Sequence, residues 1–71
     1  MPLYLAPPGE DMTICRIGGS DAARKRLESM GFVAGEVVRI VNKVDENLIV
    51  KIKGISVAVS HELAGRILIS F

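Results

Sequence analysis

The stretch Arg26-Leu27-Glu28-Ser29-Met30-Gly31-Phe32-Val33-Ala34-Gly35-Glu36-Val37-Val38 constrains this chain more than any other. It predicts the end of a short helix, a glycine stop, a tight turn at a second glycine and entry into a β-strand. Gly31 suits the left-handed C′ position that ends many helices, because a residue without Cβ takes positive φ at little cost. With Gly31 at C′, Leu27 is C3 and Phe32 is C″. The hydrophobic contact of a Schellman motif then joins Leu27 to Phe32. Val33-Ala34-Gly35-Glu36 predicts a turn whose third residue needs positive φ, which Gly35 supplies. One small helix therefore interrupts a chain otherwise rich in β-forming residues.

Upstream, Pro7-Pro8-Gly9-Glu10 predicts a turn, and β-branched Thr13, Ile14 and Ile17 favour a strand from Met12 to Ile17. Gly18-Gly19 breaks it. Ser20 or Asp21 can cap a helix from Asp21 to Met30, with Ala23, Leu27 and Met30 on one apolar face. Downstream, Val37 to Val44 predicts a strand ending at Asp45-Glu46-Asn47, where Asn47 tolerates the left-handed region. Leu48, Val50 and Ile52 form the core face of a strand running to Lys53, and Gly54 starts a turn. Ile55, Val57 and Val59 alternate with Ser56 and Ala58 in the next strand. Ser60-His61-Glu62-Leu63-Ala64 predicts a capped single turn ended by Gly65. Arg66 to Phe71 predicts a last strand with Ile67, Ile69 and Phe71 on one side. The sum is a mainly β fold: a small, bent antiparallel sheet or barrel of about five strands, with one short α-helix inserted between the first and second. Closure of the barrel would hide its strand edges. Residues 1–71 read as a single domain without repeats or linkers.

A chain of 71 residues buries only ~60% of its unfolded surface, so its stability margin is thin. One cysteine, Cys15, excludes an intrachain disulfide, and one histidine, His61, leaves no spacing for a structural zinc site. The fold must rest on apolar burial. Hydrophobic residues make up 49% of the chain, so some apolar surface stays exposed to meet a partner, and a homodimer is one way to cover it. Cys15 itself reads as a small strand residue, and His61 as a surface or turn residue. Nine basic and eight acidic residues nearly cancel, and Tyr4, Phe32 and Phe71 are the only aromatics. A nucleic-acid partner is therefore not expected: the positive excess and stacking rings are both lacking. No apolar run reaches the ~20 residues of a membrane span, and the start of the chain lacks the features of an export signal. With a free thiol, this predicts the cytoplasm, any link to a membrane running through a partner. A Ser-His-Asp, Cys-His or paired-carboxylate constellation cannot be assembled, so no enzyme and no cofactor are expected.

In order along the chain stand Pro8-Gly9-Glu10, then Arg26-Leu27-x-x-Met30-Gly31-Phe32-x-x-Gly35-x-x-Val38, then Ile52-x-Gly54-x-x-Val57-Ala58-Val59 and Ala64-x-x-Ile67. By these residues the whole chain resembles the FeoA family, small cytoplasmic proteins of bacterial ferrous iron uptake. It departs from the family's pattern at Ala34, where proline is common; proline there only pre-sets φ. The resemblance implies an SH3-like β-barrel with a helical insertion. Similar modules also end iron-dependent transcriptional repressors, but the DNA-binding and dimerisation domains of those proteins are not part of this sequence. The resemblance further implies a non-enzymatic accessory role through contact with the cytoplasmic, G-protein-like region of the FeoB transporter. The chain has no phosphate-binding GxxxxGK[ST] loop of its own. The docking surface expected on this reading is the helix and elbow, with Arg24 and Arg26 steering and Met30 adding apolar contact. An alternative is a metal-ion sensor or metallochaperone for iron or zinc, which needs ligands shared across a dimer, such as His61 with Glu62 or Glu10. No metal site is expected within one chain.

Overall fold

Apolar residues spaced two apart become the inner rows of a curled sheet. A computed structural model describes residues 1–71. In chain order they form a 3-10 turn at Leu3–Leu5, β1 (Asp11–Ile17), α1 (Asp21–Ser29), β2 (Val37–Val44), β3 (Asn47–Ile52), β4 (Ile55–Ser60), α2 (His61–Ala64) and β5 (Ile67–Ser70). The five strands make one antiparallel sheet in the order β4-β3-β2-β1-β5. The helix sits between the first and second strands, as expected.

Curvature comes from β1 and β2. The first part of β1, Asp11–Thr13, pairs with β2, while Thr13–Ile17 pairs with β5. The register shifts at Cys15 in β1 and at Val41 in β2. An extra residue of this kind bends its strand and sharpens the right-handed twist. The sheet wraps a core built from Met12 and Ile14, Val38 and Ile40, Leu48, Val50 and Ile52, Val59, and Ile67 and Ile69, all buried. Leu27 and Phe32 enter this core from the elbow. No polar or charged residue is buried.

Several expectations are corrected. The left-handed residue of the β2–β3 hairpin is Asp45 (φ +54°), not Asn47. Val44 already pairs with Asn47, so the loop has two residues and its first carries the positive φ. Gly65 ends α2 with φ −67°, so it meets no conformational demand. It supplies room, since a Cβ there would stand 3.2 Å from the Tyr4 ring. Phe71 falls beyond β5 and is 70% exposed rather than in line with Ile67 and Ile69. Ile55 and Val57 stand opposite Ile52 and Val50, but at the margin of the sheet, where Ile55 is exposed and Val57 half-buried. Cys15 lies in a strand, yet exposed, because the bulge takes it out of the alternation.

The strand edges are not all hidden by closure. β4 and β5, at the two ends of the order, are not hydrogen-bonded to each other. The free side of β5 is covered by the N-terminal residues: Ile69 N–H donates to Met1 O (2.8 Å), the Met1 amine to Ile69 O (3.0 Å), and Pro2 bridges to Leu68. The chain before β1 thus has a structural task that its sequence did not announce. Leu3 and Ala6 are buried with the core.

Candidate functional site

The elbow is held by hydrogen bonds at both ends. Ser20, rather than Asp21, caps α1, its Oγ accepting from Ala23 N–H at 3.2 Å. Asp21 instead pairs with Arg24 one turn on. At the other end Phe32 N–H donates to Leu27 O and Gly31 N–H to Glu28 O, both at 3.0 Å, with Gly31 at φ +100°. Those are the two bonds of a Schellman motif. The helix stops at Ser29, one residue early, and Met30 is its C-cap. The following turn is closed by Glu36 N–H to Val33 O (3.1 Å), with Gly35 at φ +92°. Gly35 N–H also donates to Ile14 O (2.8 Å) and Ile14 N–H to Glu36 O (2.9 Å), so the elbow is stitched to β1.

In the elbow Gly31 and Gly35 take positive φ, and Leu27 and Phe32 are fully buried in one cluster. The three candidate contact residues do not form one patch. Arg24 and Arg26 are two apart on α1, and residues at that spacing face different directions. Arg24 is drawn into the Asp21 pair and lines a shallow groove against Cys15–Gly19, with Glu28 and Ala34 on its rim. Arg26 is exposed and in no ion pair, while Met30, four residues on, is half-buried against the core. Arg26 and Met30 thus share a face.

A second shallow groove lies on β1–β3, walled by the ion pairs Arg39–Asp11 (2.8 Å) and Lys53–Glu36 (3.9 Å), with Lys51 between them. A third is lined by Asp45, Glu46, Asn47, Ser60, His61 and Glu62. His61 is exposed, as expected, but its ring also meets that of Tyr4, with centroids 4.2 Å apart. Nowhere do three His, Cys, Asp or Glu side chains gather closely enough to hold a metal ion. A metal site using His61 would need ligands from a second chain.

Sequence reasoning missed the cluster of Tyr4, His61 and Gly65 that ties the N-terminal turn to α2. The available signal was the short apolar run Leu3-Tyr4-Leu5-Ala6 fenced by Pro2 and Pro7.

Comparison with known proteins agrees with this geometry. The chain is 29% identical over 68 residues to a Methanocaldococcus jannaschii protein named as an Fe(2+) transport protein A, the match covering 96% of this chain and 83% of that one. A crystal structure of an iron uptake regulatory protein, FeoA, superposes with a TM-score of 0.89 at 28% identity, covering 97% of this chain and 93% of that chain. The Stenotrophomonas maltophilia FeoA, an SH3-domain protein in complex with zinc, superposes with a TM-score of 0.86 at 29% identity, covering 99% of this chain and 89% of that chain. The fold is SH3-like. A sequence model of the FeoA domain matches residues 1–70, and the chain belongs to the FeoA domain family.

Proposed function

We propose that this chain is a non-enzymatic accessory protein of ferrous iron uptake that works by docking on the cytoplasmic region of an FeoB-type membrane transporter. Its relatives are named for Fe(2+) transport and iron uptake. Residues 1–71 act as one domain on this reading, in the cytoplasm, reaching the membrane only through the partner. No helix is long and apolar enough to cross a membrane.

The observation that carries the docking surface is the rigid elbow with an unpaired cation beside it. Arg26 stands free in solvent, and Met30 presents a flexible thioether on the same face of a helix end fixed by a Schellman motif. Arg24 contributes long-range attraction rather than contact, because Asp21 already holds it. Binding of the transporter's cytoplasmic region to immobilised protein tests this. Charge reversal at Arg24 and Arg26 with Met30→Asp, in protein that remains folded, should abolish binding and iron uptake. Unchanged binding and uptake would place the docking surface elsewhere.

A second reading is favoured by one finding, the zinc in the Stenotrophomonas maltophilia relative. Under it, His61 and Glu62 or Glu10 of two copies complete a site for iron or zinc. Calorimetry with anaerobic Fe²⁺ and with Zn²⁺ tests it, and absence of heat at micromolar metal rejects it.

A further inference from the structure

We propose that the free edge of β4 pairs antiparallel with β4 of a second copy, joining the two sheets into a weak, two-fold symmetric dimer. The two sheet edges are treated differently by this fold. The β5 edge is occupied by Met1 and Pro2, and proline offers no donor for a further strand. The β4 edge has only β3 beside it. Its sequence, Ile55-Ser56-Val57-Ala58-Val59-Ser60, holds no charge and no proline, the devices that normally blunt an exposed edge.

The register fixes which groups are unpaired. Lys53 and Gly54 form a two-residue hairpin with φ +52° and +79°, the pattern of a type I′ turn. Ile52 and Ile55, flanking it, are then the first hydrogen-bonded pair. Alternation along the antiparallel ladder turns the N–H and C=O of Ile55, Val57 and Val59 toward β3. Those of Ser56 and Ala58 point outward. Two copies related by a two-fold axis at Val57 would set Ser56 of each opposite Ala58 of the other, so both outward pairs are bonded. The same register sets the half-buried Val57 of each copy opposite the other at the axis, with Ile55, 57% exposed, beside it on the same face, while Val59 is already buried in its own core. Cross-strand contacts between β-branched residues on one face are favourable. Because the strand is uncharged, its antiparallel self-pairing sets no like charges opposite each other, which suits a second copy as the occupant. The contact involves one six-residue strand per copy, well short of the ~800 Å² per partner of a stable interface, so dissociation in the tens of micromolar to millimolar range follows.

Sedimentation velocity from micromolar to millimolar protein, together with amide exchange of Ser56 and Ala58, tests the proposal. The expected result is a reversible shift from monomer to dimer, with exchange of those two amides slowing as concentration rises. Ala58→Pro removes an outward donor on an edge strand, where proline is tolerated. Ser56→Glu puts a charge on the edge opposite Lys51 of its own chain. Either should leave the protein monomeric throughout, with the wild-type circular dichroism spectrum. If Ala58→Pro fails to fold, Ser56→Glu carries the test. A wild-type protein that stays monomeric at millimolar concentration overturns the proposal. So does a dimer that survives Ser56→Glu, or one in which the amides that gain protection lie outside β4.

Discussion

Replacing Gly31 with alanine isolates the conformational demand of the elbow. At φ +100° the residue is left-handed, beyond the αL optimum. An L-side chain there costs roughly 1–2 kcal/mol, and this φ argues for the upper end. Space contributes little, because the new Cβ would stand 3.8 Å from Lys53 Cδ, an ordinary contact. Against the strain, alanine restricts the unfolded chain and returns roughly 0.4–1 kcal/mol. The net loss is then about 1–1.5 kcal/mol, equivalent to ~4–12 °C in melting temperature for a domain of this size. Equilibrium urea unfolding measures the loss directly. The decisive comparison is D-alanine at the same position, introduced by chemical synthesis. D-alanine prefers positive φ, so it keeps the gain in the unfolded state without the strain and should equal or exceed glycine in stability. If the D- and L-alanine proteins are destabilised alike, the loss comes from lost space and the handedness argument fails. If L-alanine costs nothing, Gly31 is not the helix stop that its hydrogen bonds imply.

Phe32→Ala should cost ~3–5 kcal/mol, most of the stability a 71-residue domain can have, leaving a protein whose amide spectrum has collapsed toward random coil at 25 °C. Ser20→Ala should cost ~1 kcal/mol, since it orphans the Ala23 N–H at the start of α1; a urea midpoint that does not move would show the cap to be idle. Lys53→Asn should stabilise the protein by a few tenths of a kcal/mol, read as a higher urea midpoint, because asparagine accepts the left-handed φ of the β3–β4 hairpin better than lysine. The ion pair it removes is exposed and long, and worth little. Cys15 should react with an aromatic disulfide reagent in the native protein within a few-fold of its rate in urea, since the bulge leaves it exposed; strong native protection would mean the strand is not bulged there.

How far the fold was legible depended on whether a residue's role was local. Gly31, Gly35 and Ser20 act within a few residues of themselves, through turn dihedrals and caps, and their roles stand written in short-range pattern. The inner rows Leu48–Val50–Ile52 and Ile67–Ile69 follow from period two, and β2 spans Val37–Val44, the residues expected to form a strand. What escaped was set by distant partners. Nothing near Leu3 indicates that β5 will need its outer side covered, or that Tyr4 will lie against His61 and Gly65. Gly65 looked like a conformational glycine and is a spatial one. Ile55 and Phe71 continue apolar alternations past the point where the sheet has a core to face. Cys15 left its alternation because one extra residue was placed where β1 changes partner from β2 to β5.

The same distinction explains why the family is easier to read here than the contact surface. The residues that carry the resemblance are those the fold cannot exchange cheaply: two glycines at positive φ and two apolar residues clamped around a helix end. On the proposed docking, a partner contacts what they leave outside. Surface side chains such as Arg26 change at a cost within about 0.5 kcal/mol, so stability places almost no constraint on them and no local rule predicts them. Geometry narrows the choice where pattern cannot. Of the basic run Arg24-Lys25-Arg26, Arg24 is engaged by Asp21, and Arg26 alone shares a face with Met30. The backbone beneath that face is tied at Leu27, Glu28 and Ile14. A surface so fixed pays little to order itself on binding, and the default for such a complex is rigid docking with side-chain adjustment only. Loosening the elbow should therefore weaken docking even when every contacting side chain is kept. L-alanine at position 31 is the substitution that separates the two effects, because it strains the support and leaves Arg26 and Met30 in place.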